Sequence, residues 1–207
     1  MFAFAKSAPR GYGWNVGASR YYDNVTGRFV SRVIVTQELE KVISACQLDI
    51  ITASQSLLDG TITLSEWQLI MERSIKSIHT SSAALAVGGW NQMTYNDWGS
   101  VGSLIKKQYQ WLDNFAFDIY TEKQKLGLLI TRAKLYAQSG RGTYEEMRRM
   151  LAEDQGFNQE RRGLAPAEHC NDCVVEAEKG WQPIGTLRQI GDSQCRTNCL
   201  CRFFFKR

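Results

Sequence analysis

The sequence predicts a mainly α protein: an antiparallel helical body, a Gly/aromatic-rich N-terminal arm before it, and a small Cys-rich module with short β strands after it. Three observations predict this. Apolar residues recur at helical spacing from Thr36 onward, hydroxyl-x-x-carboxylate cap patterns recur in phase with them, and five of the six cysteines crowd between Cys170 and Cys201. The expected divisions are 1–35 for the arm, 36–160 for the helical body and 164–207 for the cysteine module.

The arm holds four glycines and no helical period. In Tyr21-Tyr-Asp-Asn24-Val-Thr-Gly27-Arg-Phe29 a turn signal lies between aromatic and β-branched runs, so a short hairpin is expected there. Such an arm either packs locally or takes order from a partner. Leu39, Val42, Ile43, Cys46, Ile50, Ala53 and Leu57 then share one helical stripe, with Gly60 as its stop. Thr63 and Glu66 have capping-box form and open a second helix through Trp67, Met71, Ile75 and Ile78, ending at Gly88-Gly89. Thr94 and Asp97 open a third, carrying Val101, Leu104, Trp111, Leu112, Phe115 and Ile119. A fourth is expected from Glu122 to Gln138, broken by Gly140-Arg-Gly142, and a short fifth from Thr143 to about Gly156. Short connections favour antiparallel neighbours.

Apolar content of 43% and charged content of 22% are those of a folded globular chain. No apolar run is long enough for a bilayer, and the start has no basic-then-apolar order, so no membrane and a cytosolic origin are expected. Residues 1–33 carry Lys6, Arg10, Arg20, Arg28 and Arg32 against Asp23 alone, and residues 188–207 carry Arg188, Arg196, Arg202, Lys206 and Arg207 against Asp192. Two basic ends suit nucleic acid or an acidic protein surface, and equally serve to keep the ends solvated.

The body offers little chemistry. It has no GxxxxGK[ST], HExxH or GxSxG pattern, and its one histidine, His79, reads as a packing residue rather than a ligand. Cys46 reads as a small core residue on its stripe. Arg141, Arg148 and Arg149 beside Glu145 and Glu146 read as intrahelical pairs. No enzyme is expected.

The cysteines carry the chemistry. Cys170-x-x-Cys173 is followed, after 21 residues, by Cys195-x-x-x-Cys199-x-Cys201. A CxxC turn lets two thiolates reach one ion, and a second cluster completes a tetrahedral sulfur site whose usual occupant is Zn²⁺. Cys170 and Cys173 are the firm ligands; Cys195 and Cys199 are the favoured second pair, with Cys201 as alternate. His169 adjoins Cys170 and is placed outside the ligand set. Such a closed site is structural, forming a zinc knuckle. Disulfides between the two clusters, and thiol catalysis, are the competing readings.

Cys170, Cys173, Gly180, Trp181, Pro183, Gly185, Cys199, Cys201 and Phe203 together resemble the C-terminal module of the minor head, or head-morphogenesis, proteins of tailed bacteriophages. The resemblance covers about a fifth of the chain. It departs where many members have His-Pro-Asn-Cys: here Cys195-Arg-Thr-Asn-Cys199 is one residue longer and puts cysteine for histidine, so the third and fourth ligands stay a choice among Cys195, Cys199 and Cys201. It implies a non-enzymatic structural or assembly protein of the virion, put together in the host cytoplasm. It further implies a multi-copy location in the head or the portal and neck region, with phage capsid, portal or neck proteins as partners. The alternative function is a zinc-knuckle nucleic-acid-binding protein that meets viral DNA through Arg188, Arg196, Arg202, Lys206 and Arg207, interleaved with Trp181 and Phe203–Phe205.

Overall fold

The computed structural model describes residues 9–207; residues 1–8 of the expected arm lie outside them. The protein is mainly α, with an antiparallel helical body, short antiparallel strands and a C-terminal cysteine cluster. It divides into two compact units, residues 1–140 and 141–207.

The first unit opens with β1 (Tyr12–Asn15) and β2 (Arg20–Asp23), an antiparallel hairpin. The sequence expectation put a hairpin around Asn24–Gly27; that turn forms, but only a single bridge, Tyr22 to Phe29, closes it. The Asp23 carboxylate accepts the Val25 and Thr26 amides and fixes the turn locally. This part of the arm packs on its own body. Tyr21 is buried and its hydroxyl donates to the Leu85 carbonyl at 2.9 Å, and the Trp14 ring lies against Gly88. Gly88 has φ +98°, and a Cβ there would come within 2.1 Å of that ring. Only glycine meets both demands.

Helix α1 (Arg32–Leu58) starts four residues before the expected Thr36, because the extended chain ends at Ser31 directly after Val30 donates to the Tyr21 carbonyl. Helices α2 (Leu64–Val87) and α3 (Tyr95–Tyr120) both start on complete capping boxes, Thr63 with Glu66 and Thr94 with Asp97. Helix α4 (Leu129–Gln138) begins well after the expected Glu122. Glu122 sits at φ +58° past the end of α3, and Arg132 ties the turn by donating to Asp118 and Gln124 at 2.7 and 3.0 Å. The core of this unit gathers Ile43, Ile50, Trp67, Met71, Ile75, Leu112, Phe115 and Leu129. Trp67 packs edge-on to Phe115, and its indole N–H donates to the buried Ser54 hydroxyl at 3.1 Å. No helix is long and apolar enough to cross a membrane among the described residues.

The fourth helix ends at Gln138 as expected, but the break falls at Ser139 rather than on Gly140-Arg-Gly142, and Thr143 caps no new helix. Instead α5 (Gly140–Asp154) runs straight through these residues, with Thr143 buried inside it. The glycines answer to packing: a Cβ at Gly140 would meet Ser82 and Ile78, and one at Gly142 would meet the Ile190 carbonyl oxygen at 2.7 Å. The second unit also contains β3 (Gln159–Gly163), α6 (Asn171–Glu178), β4 (Gln182–Pro183) and β5 (Arg202–Lys206). This compact unit runs from Arg141 to Arg207. β3 is its central strand, antiparallel to both neighbours in the order β4-β3-β5.

Candidate metal centre

Part of the charged run expected to pair within α5, Glu145 and Arg149, is turned inward. Arg149, 5% exposed, donates to the fully buried Glu160 on β3 at 2.8 and 3.2 Å and to the Leu187 carbonyl at 2.9 Å. Glu160 also accepts the Leu187 amide at 2.9 Å, and the Arg149 guanidinium lies 4.1 Å from the Phe203 ring centre. Glu145 accepts the Phe203 amide at 3.0 Å. An intrahelical contact of the expected kind is also present, Arg149 to Glu146 at 3.2 Å. The group at the heart of this network is thus a bonded ion pair, which a buried charge requires.

Above it lie the cysteines. Cys170 is the N-cap of α6 and Cys173 sits in that helix's first turn, with the Cys173 amide donating to the Cys170 carbonyl at 3.0 Å. Cys195 precedes a 3-10 turn (Arg196–Asn198), Cys199 follows it, and Cys201 leads into β5. All are free thiols. Their sulfurs form two overlapping triads, Cys170–Cys173–Cys195 and Cys173–Cys199–Cys201, with every sulfur of a triad within 4.8 Å of the others. Cys173 belongs to both and stands 3.6 Å from Cys195 and 3.6 Å from Cys199. All five expected ligand candidates are therefore brought together, and the cluster could hold a metal ion. It is also the unit's core: Cys173, Cys199 and Cys201 pack with Leu187, Ile190 and Phe203, and Cys170, Cys195 and Phe205 lie against them.

The thiols polarise one another. Hydrogen bonding from Cys201 draws the Cys199 thiol down to about 5, against the opposing effect of burial. The same contact, with burial, pushes Cys201 up. Burial raises Cys173 and Cys195. Burial also acts to raise Cys170, but hydrogen bonds from the Cys173 and Cys195 amides outweigh it and its pKa is lowered.

His169 stands closer to the cluster than sequence adjacency suggested: its Nδ1 is 3.7 Å from the Cys201 sulfur, while its Nε2 pairs with the Ala165 carbonyl at 2.6 Å. Arg162 escaped the sequence reading altogether. Buried on β3, it donates to the Cys173 sulfur at 3.5 Å, to Ser193 at 3.4 Å and to the Arg188 and Gln189 carbonyls. Alternation along β3 was the one signal that could have pointed it inward. Arg188, grouped by sequence with the basic tail, is instead paired with Asp172 at 2.6 Å.

The remaining candidates lie in the first unit. Cys46 is core, its thiol pushed up to about 12 by burial and donating weakly to the Ser74 carbonyl. His79 is buried beside Ser139 at 3.2 Å, and burial lowers it to about 4.

No family model, no curated protein and no solved structure matches the chain.

Proposed function

We propose that this chain is a non-enzymatic structural or assembly component of a tailed-phage virion, and that its C-terminal unit is held together by one structural Zn²⁺. The observation that carries the metal reading is the pair of thiol triads sharing Cys173 at the centre of that unit's core. A zinc–sulfur bond of about 2.3 Å gives a tetrahedral edge of about 3.8 Å. The 3.6 Å separations of Cys173 from Cys195 and Cys199 suit such an edge. All-sulfur donors at this spacing favour zinc over harder cations. Cys170, Cys173, Cys195 and Cys199 would hold the ion, with Cys201 as the alternate fourth ligand.

A four-thiolate site has no open position for a substrate, so its role is to fold the chain. The thiols also serve as core packing, which argues against a reactive nucleophile. The virion setting rests on the resemblance of residues 170–203 to phage head-morphogenesis proteins. Capsid, portal or neck proteins would then be the partners, in a multi-copy assembly.

Two measurements test this. Elemental analysis with thiol titration should find about one zinc per chain and six reactive thiols after denaturation and chelation. A metal-free protein with oxidised cysteines would overturn the zinc reading. The chain should sediment with assembled heads; recovery solely as free protein from lysate would overturn the virion reading.

A further inference from the structure

We propose that the outward face of the C-terminal sheet binds single-stranded nucleic acid, with Trp181 and Phe204 as stacking planes and Arg161, Arg202 and Lys206 as phosphate contacts. The sequence alone could not separate the aromatics that fill the core from those that face outward. The structure does. Phe203 is fully buried and Phe205 packs against the cysteine core, whereas Phe204 and Trp181, the latter 36% exposed, lie on the opposite side of the sheet.

Strand pairing places Arg161 opposite Phe204, Gly163 opposite Arg202 and Gln159 opposite Lys206. Phe204 lies across Gly163, where a Cβ would come within 2.2 Å of its ring. The glycine lets the ring lie flat on the sheet. Cations surround both rings: Arg161 is 4.9 Å from the Phe204 centre and 5.3 Å from that of Trp181, Arg202 is 5.3 Å from Phe204, and Lys206 is 4.9 Å from Trp181. Among the described residues, none of Arg161, Arg202 and Lys206 pairs with a carboxylate.

Unpaired cations attract a polyanion, and flat rings between them suit bases that are already unstacked. Outward residues two apart on β5 are about 7 Å from one another, the scale of one extended nucleotide. An acidic peptide would meet the charges and leave both rings without a role. Duplex DNA keeps its bases out of reach of a flat sheet.

The test uses the full chain as purified and a fluorescein-labelled 12-mer of oligo(dT), read by anisotropy. Three phosphate contacts on a single strand give a log–log salt slope of about −2, so binding should weaken roughly 20-fold between 50 and 200 mM salt. Arg161→Ser with Lys206→Ser should flatten that slope to about −0.7. Phe204→Leu, which keeps the apolar bulk, should weaken binding roughly tenfold with the slope unchanged. Unchanged metal content and circular dichroism would certify the fold of each variant. The proposal is overturned by absence of saturable binding at 50 mM salt, or by folded variants that bind like the parent. Tighter binding of a duplex of equal length, or of a poly-glutamate peptide of equal charge, overturns it as well.

Discussion

Replacing Glu160 by leucine tests the electrostatic account of the second unit most directly. The carboxylate is 0% exposed and accepts three hydrogen bonds, two from Arg149 and one from the Leu187 amide. Glu160→Leu strips the buried guanidinium of its bidentate carboxylate and leaves it only the single 3.2 Å contact with Glu146, which costs about 3–5 kcal/mol. A unit of this size has a net stability of roughly 3–10 kcal/mol, so the loss takes a large share of it. Arg149→Met combined with Glu160→Leu removes both charges. It forfeits the Leu187 bonds and the contact with the Phe203 ring, and should cost no more than about 2 kcal/mol. Native-state hydrogen exchange on β3 and β5 reads the difference. The single variant should lose protection by about 10²–10³-fold or more, and the double variant should recover at least about fivefold of it. A single variant that loses less than about 1 kcal/mol, or a double variant as unprotected as the single, would refute the reasoning.

His79 should make the first unit acid-sensitive. Its imidazole is neutral in the fold down to about pH 4, while in the unfolded chain it takes a proton near pH 6.5. Stability is therefore full above about pH 6.5 and falls as pH drops toward 4, by up to about 3 kcal/mol. Urea midpoints of His79→Gln and of the parent should diverge through that window; parallel curves would contradict the burial argument. Gly88→Ala should destabilise the first unit by more than about 2 kcal/mol, since φ +98° and the Trp14 ring both oppose a Cβ. Adding Trp14→Ala should return the part due to the clash, and calorimetry on the pair would separate the two causes.

The helical body was largely legible because its signals are local. Thr63 with Glu66 and Thr94 with Asp97 form the boxes their spacing implies. Thr143 with Glu146 has the same spelling but sits inside α5, where Thr143 is buried and Gly140 and Gly142 give room to neighbours distant in sequence. A glycine needed for close approach and one needed for a turn look alike in a sequence. The cysteine cluster was legible from its spacing. Its surroundings were not: Arg162 reaches Cys173 only because β3 runs through the middle of the sheet, a pairing no local pattern announces.

β3 reads Gln-Glu-Arg-Arg-Gly, with Glu160 and Arg162 directed inward and Arg161 outward. Most half-buried strands hold their register through the size and greasiness of alternating side chains, because a slip of one residue turns that whole set to water. Here a slip of one residue would drive Arg161 into the core opposite Arg149 and carry both bonded charges into water. The strand is keyed by sign rather than by size. Exchanging Glu160 and Arg161 in sequence, with composition and net charge untouched, would set an arginine against Arg149 in the native register, and the one-step slip that returns the carboxylate there would put Gly163 where Arg162 stood.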